Sequence, residues 1–272
     1  MEQRAYTRIG KAVEKGRIAD EKTAEVGEVV ATQVRLAQEL GAEEIRAVAT
    51  AAIREAKNGE EVADAVGAAA GVPIEILSEE KEGRLSFLGA TKTLGHPAEG
   101  LIGVVDIGGG STEVILGTVP DGVQSVQSWP VGSGNLADEL LSSDPPSAAE
   151  IRRARDRIED IFEGVEIERP VQAVAVGGSA TSLRRLVGAV LEYETLERGI
   201  RVLCGDPAAD VGRRFELDPT RVRILPTGVL LLEKLSDLLG QPLQIGKGGL
   251  REGVILDFLN GSINGSQERV AA

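Results

Sequence analysis

Between Val104 and Glu113 the chain reads Val-Val-Asp-Ile-Gly-Gly-Gly-Ser-Thr-Glu, a buried strand that runs straight into glycines and then into polar side chains. Glycines reach φ > 0 without a Cβ penalty and bring several N–H groups to one point, the kind of nest an anion occupies. Phosphate is its natural occupant. Asp106 at the strand end has the hard oxygens that hold a magnesium ion or its waters. Ser111 can donate its hydroxyl to a phosphate oxygen, and Glu113 stands where it could meet the metal or an attacking water. A plain hairpin turn would use Gly108, Gly109 and Gly110 equally well, but it has no need of Asp106, Ser111, Thr112 and Glu113 around them, so the three glycines with Ser111 and Thr112 are the expected phosphate-binding residues.

A second loop repeats the logic. Val174 to Ser182 places Gly177, Gly178 and Ser179 between a strand and a helix N-terminus, where free N–H groups and the positive dipole end suit an anion or a nucleotide. Close helix–strand packing demands glycine there just as strongly. Arg54, at another strand-to-helix turn, is either a forked phosphate ligand or a surface ion pair. The run Glu79 to Arg84 reads as a solvated helix start, and only its place just before an expected domain boundary makes one of its carboxylates a candidate general base. His96, in a Gly-His-Pro turn, reads as a surface residue and Cys204 as buried packing.

These residues need elements to hold them. A helix is expected from Ala19-Asp20-Glu21 to Gly41, then a short strand over Ile45–Thr50, helices from Ala51 and Glu60, and a strand over Val72–Leu77. Strand, helix, strand in that order predicts parallel pairing. A helix from Glu79 to Thr93 leads to a turn at Gly95–Gly100, where the boundary is expected. Beyond it, Leu101–Val105 and Val114–Val119 form a hairpin with the glycine loop at its tip. Ser147 and Glu150 form a capping box, Val171–Val176 is a strand, and helices are expected over Ala180–Val190, Leu230–Leu239 and Leu250–Leu259. The domains are then 1–98, 99–262 and a flexible tail over 263–272, the last helix free to pack back on the first domain.

Composition narrows the partners. The net charge of −13 excludes a general nucleic-acid or anionic-membrane binder, so an anionic substrate must be held by local amides, a few arginines and a divalent cation. Apolar residues make up 42% and aromatic ones 3%, which suits small-residue α/β packing rather than an all-β sandwich. A single cysteine, with no apolar run near the ~20 residues of a bilayer span, makes the cytoplasm the expected compartment.

In chain order, Ala49 to Asn58, Ser78 to Leu85 with its Glu82-Gly83-Arg84-Leu85, Val105 to Glu113, Val176 to Leu183 and Leu250-Arg251-Glu252-Gly253 resemble the Ppx/GppA phosphatase family of exopolyphosphatases and guanosine pentaphosphate phosphohydrolases. The resemblance covers nearly the whole chain. It implies an α/β protein of two ribonuclease-H-like domains of the actin-like and sugar-kinase superfamily facing across a cleft, the first N-terminally incomplete. It implies that Glu82 activates or orients water, that Arg54 holds phosphate, and that Asp106 and Glu113 serve a Mg2+ ion beside the phosphate loop of Gly108 to Ser111. The implied reaction is hydrolysis of the terminal phosphoanhydride of inorganic polyphosphate or guanosine pentaphosphate, with no nucleic-acid or membrane partner and with a homodimer left open. The family's first loop, Asp-x-Gly-Ser-Asn-Ser, is not found before Thr7-Arg8-Ile9-Gly10. The expectation is that the coding sequence extends upstream or that half of the phosphate clamp is lacking. The alternative is therefore a catalytically silent module that binds polyphosphate or a guanosine polyphosphate.

Overall fold

The computed structural model of the protein describes residues 5, 7, 9, 13–14 and 16–270, so Arg8, Gly10 and residues 271–272 of the expected tail lie outside it. The chain divides into two compact units, residues 1–82 and 83–272.

In the first unit, β1 (Val13–Glu14) and β2 (Arg17–Ile18) pair antiparallel. Helix α1 (Asp20–Glu39) follows, with Asp20 and Glu21 against the positive dipole end and Val26, Ala31 and Val34 on its buried face. Strands β3 (Ala47–Ala49) and β4 (Ile74–Ile76) run parallel, as the intervening helices α2 (Ala51–Arg54) and α3 (Gly59–Ala70) require. Gly71, at φ +72°, ends α3 in the left-handed conformation only glycine adopts freely. Ile18, Val26, Ala49, Ile53, Val62 and Val66 close the core. The buried Asn58 amide seals its edge with 2.9 Å bonds to both the N–H and the C=O of Ile18.

Helix α4 (Glu79–Lys92) contains the division, which falls between Glu82 and Gly83 rather than at the Gly95–Gly100 turn. The reason is packing. Phe87, Ala90 and Leu94 share a core with Ile102, Val104, Ile115, Val174 and Val176, so the later turns of α4 belong to the second unit.

That unit is built on a mixed six-stranded sheet of order β7-β6-β5-β8-β10-β9. Its elements are β5 (Ile102–Ile107), β6 (Thr112–Thr118), β7 (Gly122–Trp129), α5 (Ser133–Leu140), α6 (Ala148–Ile161), β8 (Gln172–Val176), α7 (Gly177–Val187), β9 (Val190–Leu191), α8 (Tyr193–Leu203), α9 (Ala208–Phe215), α10 (Pro219–Leu239), β10 (Leu243–Ile245) and α11 (Leu250–Val270). The expected hairpin is β5–β6, antiparallel, and β8 joins β5 in parallel. The period of two along a strand sorts the side chains. Ile102 and Val104 face α4, whereas Val105 and Ile107 join Val114, Leu116, Ala173, Ala175, Leu183 and Leu235 on the opposite face. Asp106 and its cross-strand partner Glu113 fall on the α4 side.

Ser147 and Glu150 form the expected capping box of α6. Glu150 also accepts the N–H groups of Ser142 and Ser143, at 2.7 and 3.0 Å. Helices α4 and α11 touch backbone to backbone. A Cβ on Gly89 would lie 1.9 Å from the Gly249 carbonyl oxygen, and one on Gly253 would lie 1.9 Å from that of Leu85. Helix α11 runs on to Val270, past the expected stop at Leu259 and into the segment expected as a tail. Helix α10 starts at Pro219 rather than Leu230 and accommodates Pro226 within it. Among the described residues no helix is long and apolar enough to cross a membrane.

Candidate functional site

The first unit brings together Arg54 and Glu82. Arg54 ends the short α2, and its Nη1 donates both to the Leu77 carbonyl oxygen, at 3.0 Å, and to Glu82 Oε2, at 2.5 Å. One guanidinium thereby ties the end of a strand to the first turn of α4. The side chains are only 17% and 12% exposed, which makes this a largely desolvated ion pair rather than a surface bridge. Burial raises the Glu82 carboxyl above its ordinary value, and the hydrogen bond and charge of Arg54 pull it back. Lys81 turns away and pairs with Glu75 on the exposed side.

The second unit assembles the glycine loop, and α5 is what shapes it. The Gly108 carbonyl accepts from Ser133 N and Oγ, at 3.0 and 3.1 Å. That of Gly109 accepts from Gly134 N and Asn135 N, at 2.9 and 3.0 Å. That of Gly110 accepts from Asn135 Nδ2, at 3.2 Å. In a trans peptide the carbonyl and the following N–H point in opposite directions. With three successive carbonyls turned to α5, the amides of Gly109, Gly110 and Ser111 turn away from it, and none of them donates to an acceptor among the described residues. The three amides are thus left without a described acceptor, and the loop does not reach this by the glycine conformations expected from sequence. None of Gly108, Gly109 and Gly110 has a left-handed φ. The glycines that the packing demands are Gly132, where a Cβ would lie 2.6 Å from Gly109 C and Gly110 N, and Gly134, where one would lie 2.8 Å from Gly109 O. A Cβ on Gly109 or Gly110 would meet nothing within 4 Å.

Asp106 and Glu113 are direct cross-strand neighbours, so their Cβ atoms stand about 5 Å apart on one face. Asp106 Oδ2 accepts from Ser86 Oγ at 2.9 Å, and Glu113 Oε1 from Ser128 Oγ at 3.3 Å. Gly177 completes the group. It adopts φ +81°, and a Cβ there would lie 2.5 Å from Asp106 Oδ1. Helix α7 begins at Gly177 itself, with Val176 as its N-cap, so Gly177 and Gly178 are its first turn rather than a separate loop.

Two expected phosphate ligands are structural. Thr112 is fully buried and donates to the Val131 carbonyl at 2.6 Å, because the same alternation that turns Glu113 toward α4 turns Thr112 to the other face. Ser179 is equally buried and donates to Ser133 Oγ at 3.1 Å, tying α7 to the start of α5. His96 is exposed, as expected, and Cys204 is half-buried with its thiol pushed up to about 11, mainly by burial. The residues that sequence reasoning missed are Ser86, Gly132, Ser133 and Asn135. The Gly-Ser-Gly-Asn run at 132–135 carries the signal of a helix start.

A model of the Ppx/GppA phosphatase family matches residues 1–261. The chain belongs to that family. This Ppx/GppA chain is 30% identical over 267 residues to exopolyphosphatase 1 of Mycobacterium leprae, across 92% of its own length and 77% of the other. Against exopolyphosphatase 2 of Mycobacterium tuberculosis the identity is 29% over 280 residues, covering 95% and 87%. Among solved structures, the Aquifex aeolicus family member matches with TM-score 0.76 at 30% identity, over 94% of this chain and 87% of that one. An exopolyphosphatase from Cytophaga hutchinsonii superposes with TM-score 0.82 at 20% identity, covering 94% and 88%, a likeness of fold.

Proposed function

We propose that this chain is a phosphohydrolase that removes the terminal phosphate of inorganic polyphosphate, with Mg2+ as its metal ion. The observation that carries the reading is the row of outward amides at Gly109, Gly110 and Ser111, which offers an anion hydrogen bonds that no described residue takes up. The family's designation as phosphatases and the exopolyphosphatase names of the relatives agree with that chemistry.

In the reaction a water oxygen attacks the terminal phosphorus, the bond from that phosphorus to the bridging oxygen breaks, and the shortened chain leaves. Glu82 accepts the proton of the water, and its raised carboxyl brings the base closer to the operating pH. Arg54 orients Glu82 and has further N–H donors for a phosphate oxygen. The loop amides take up charge on the phosphoryl oxygens. Asp106 and Glu113 fit the metal: Mg2+ binds through one or two carboxylates and completes its shell with water and phosphate. When bound, the ion neutralises charge on the phosphate. Guanosine pentaphosphate ends in the same phosphoanhydride, and the same groups would accept it.

Phosphate release from polyphosphate, with and without Mg2+, tests the reading. Glu82→Gln is expected to lose about 10²- to 10⁴-fold in rate, and the acid limb of the wild-type profile should lie above the ordinary carboxylate range. An undiminished rate in Glu82→Gln would overturn the role of Glu82. Polyphosphate bound by the wild type without release would leave a binding module in place of an enzyme.

A further inference from the structure

Ser86 carries no signal in the sequence, yet it is 1% exposed and gives its hydroxyl to Asp106 Oδ2 at 2.9 Å. A buried serine in a helix ordinarily bonds back to the carbonyl a turn earlier, as Thr91 does to Phe87 on the same helix. Ser86 instead reaches out of α4 to the sheet. The other Asp106 oxygen, Oδ1, lies where a Cβ on Gly177 would stand 2.5 Å away. The carboxylate is therefore held on one oxygen by a donor and flanked at the other by a residue that has no side chain.

We propose that Ser86 is a positioning residue: its hydroxyl fixes the rotamer of Asp106, and with it the direction in which the aspartate offers its oxygens to a divalent cation. The inference rests on the reading of Asp106 as a Mg2+ ligand. Outer partners of this kind set the orientation of a ligating carboxylate and tune the affinity of the metal. Position 86 follows Glu82 by four residues in the same helix, so α4 supplies both the proposed base and the residue that aims Asp106.

The test is direct cation binding by the full chain, read by calorimetry with Mg2+ and by electron paramagnetic resonance with Mn2+, for the wild type, Ser86→Ala and Thr91→Ala. Ser86→Ala is expected to weaken the cation about tenfold or more and to raise the Mg2+ needed for half-maximal phosphate release in proportion. At saturating Mg2+ its kcat should return to within about threefold of wild type, because the ligand itself is intact. Thr91→Ala, which loses only a bond within the helix, should bind as the wild type does. If Ser86→Ala does not fold, Ser86→Cys keeps the volume with a weaker donor and gives the same reading. Wild-type cation affinity in the folded serine variant would overturn the proposal. A wild-type protein that binds no cation would instead remove the metal reading on which the proposal stands.

Discussion

Gly110→Ala separates the demands of folding from those of binding. The position is exposed, its φ lies outside the left-handed region, and an added Cβ would meet no atom within 4 Å. The folded chain should accept the methyl, and the loss of unfolded-state freedom should add about 0.4–1 kcal/mol of stability. Binding should suffer, because the methyl stands beside amides that a phosphate must approach closely. Losing one charge-assisted hydrogen bond costs about 1.5–3 kcal/mol, which corresponds to a rise in KM of about 10- to 150-fold. Urea unfolding paired with steady-state phosphate release on polyphosphate measures both halves. Gly132→Ala should behave in the opposite way, since its Cβ would lie 2.6 Å from backbone atoms of Gly109 and Gly110 and must push the loop aside. That variant should lose about 1–3 kcal/mol as an overpacked site together with its substrate affinity. A Gly110→Ala enzyme with unchanged KM would refute the assignment of these amides to phosphate, whatever its stability.

Further outcomes follow from the charged groups. Removing Arg54 by Arg54→Ala lets burial raise the Glu82 carboxyl further, so the folded state holds a proton that the unfolded chain, near 4.5, has released. Above 4.5 stability should then fall as pH rises, by at most about 1.4 kcal/mol per pH unit, over a wider window than in the wild type, as unfolding at pH 5 and pH 8 would show. Hydrogen bonds from Ser143, Ser147 and Ser142 hold the Glu150 carboxyl far below 4.5, so its contribution is present above that pH and lost on acidification below it. Glu150→Gln, which breaks charge-assisted bonds in a buried hub, should cost about 2–3 kcal/mol at pH 7 and flatten the acid dependence in a denaturation series. The thiol of Cys204, pushed up to about 11 by burial, should react with a disulfide reagent at pH 8 more slowly than a free cysteine.

Much of this was legible in the residues. The parallel β3–β4 pair, the β5–β6 hairpin and the α6 capping box each follow from local pattern, and of the candidate residues the fold pairs Arg54 with Glu82 and sets Asp106 opposite Glu113. What failed had physical reasons. Thr112 and Ser179 stand beside the glycines in sequence, but a strand alternates faces and a helix start buries one side, so neighbours in sequence face different surroundings. The first half of α10 was hidden by Pro226, which argues against a helix interior in any local reading. Strand β7 has a half-exposed pattern without clean alternation, and α5 is a short helix whose role, turning the loop carbonyls, depends on a contact with residues about 25 positions earlier. Ser86 could be found only once the sheet had placed Asp106 opposite it.

The crossing of α4 and α11 at Gly89 and Gly253 is fixed by two absences. With main chain resting on main chain, there are no side chains to repack, rotate or wet, and so no soft coordinate along which one helix could glide past the other. Any residue larger than glycine at either point would act as a lever and would tilt α4 along its whole length. The seating of the later turns of α4 on α11 is thus set by hydrogen atoms at two positions that carry no side chain.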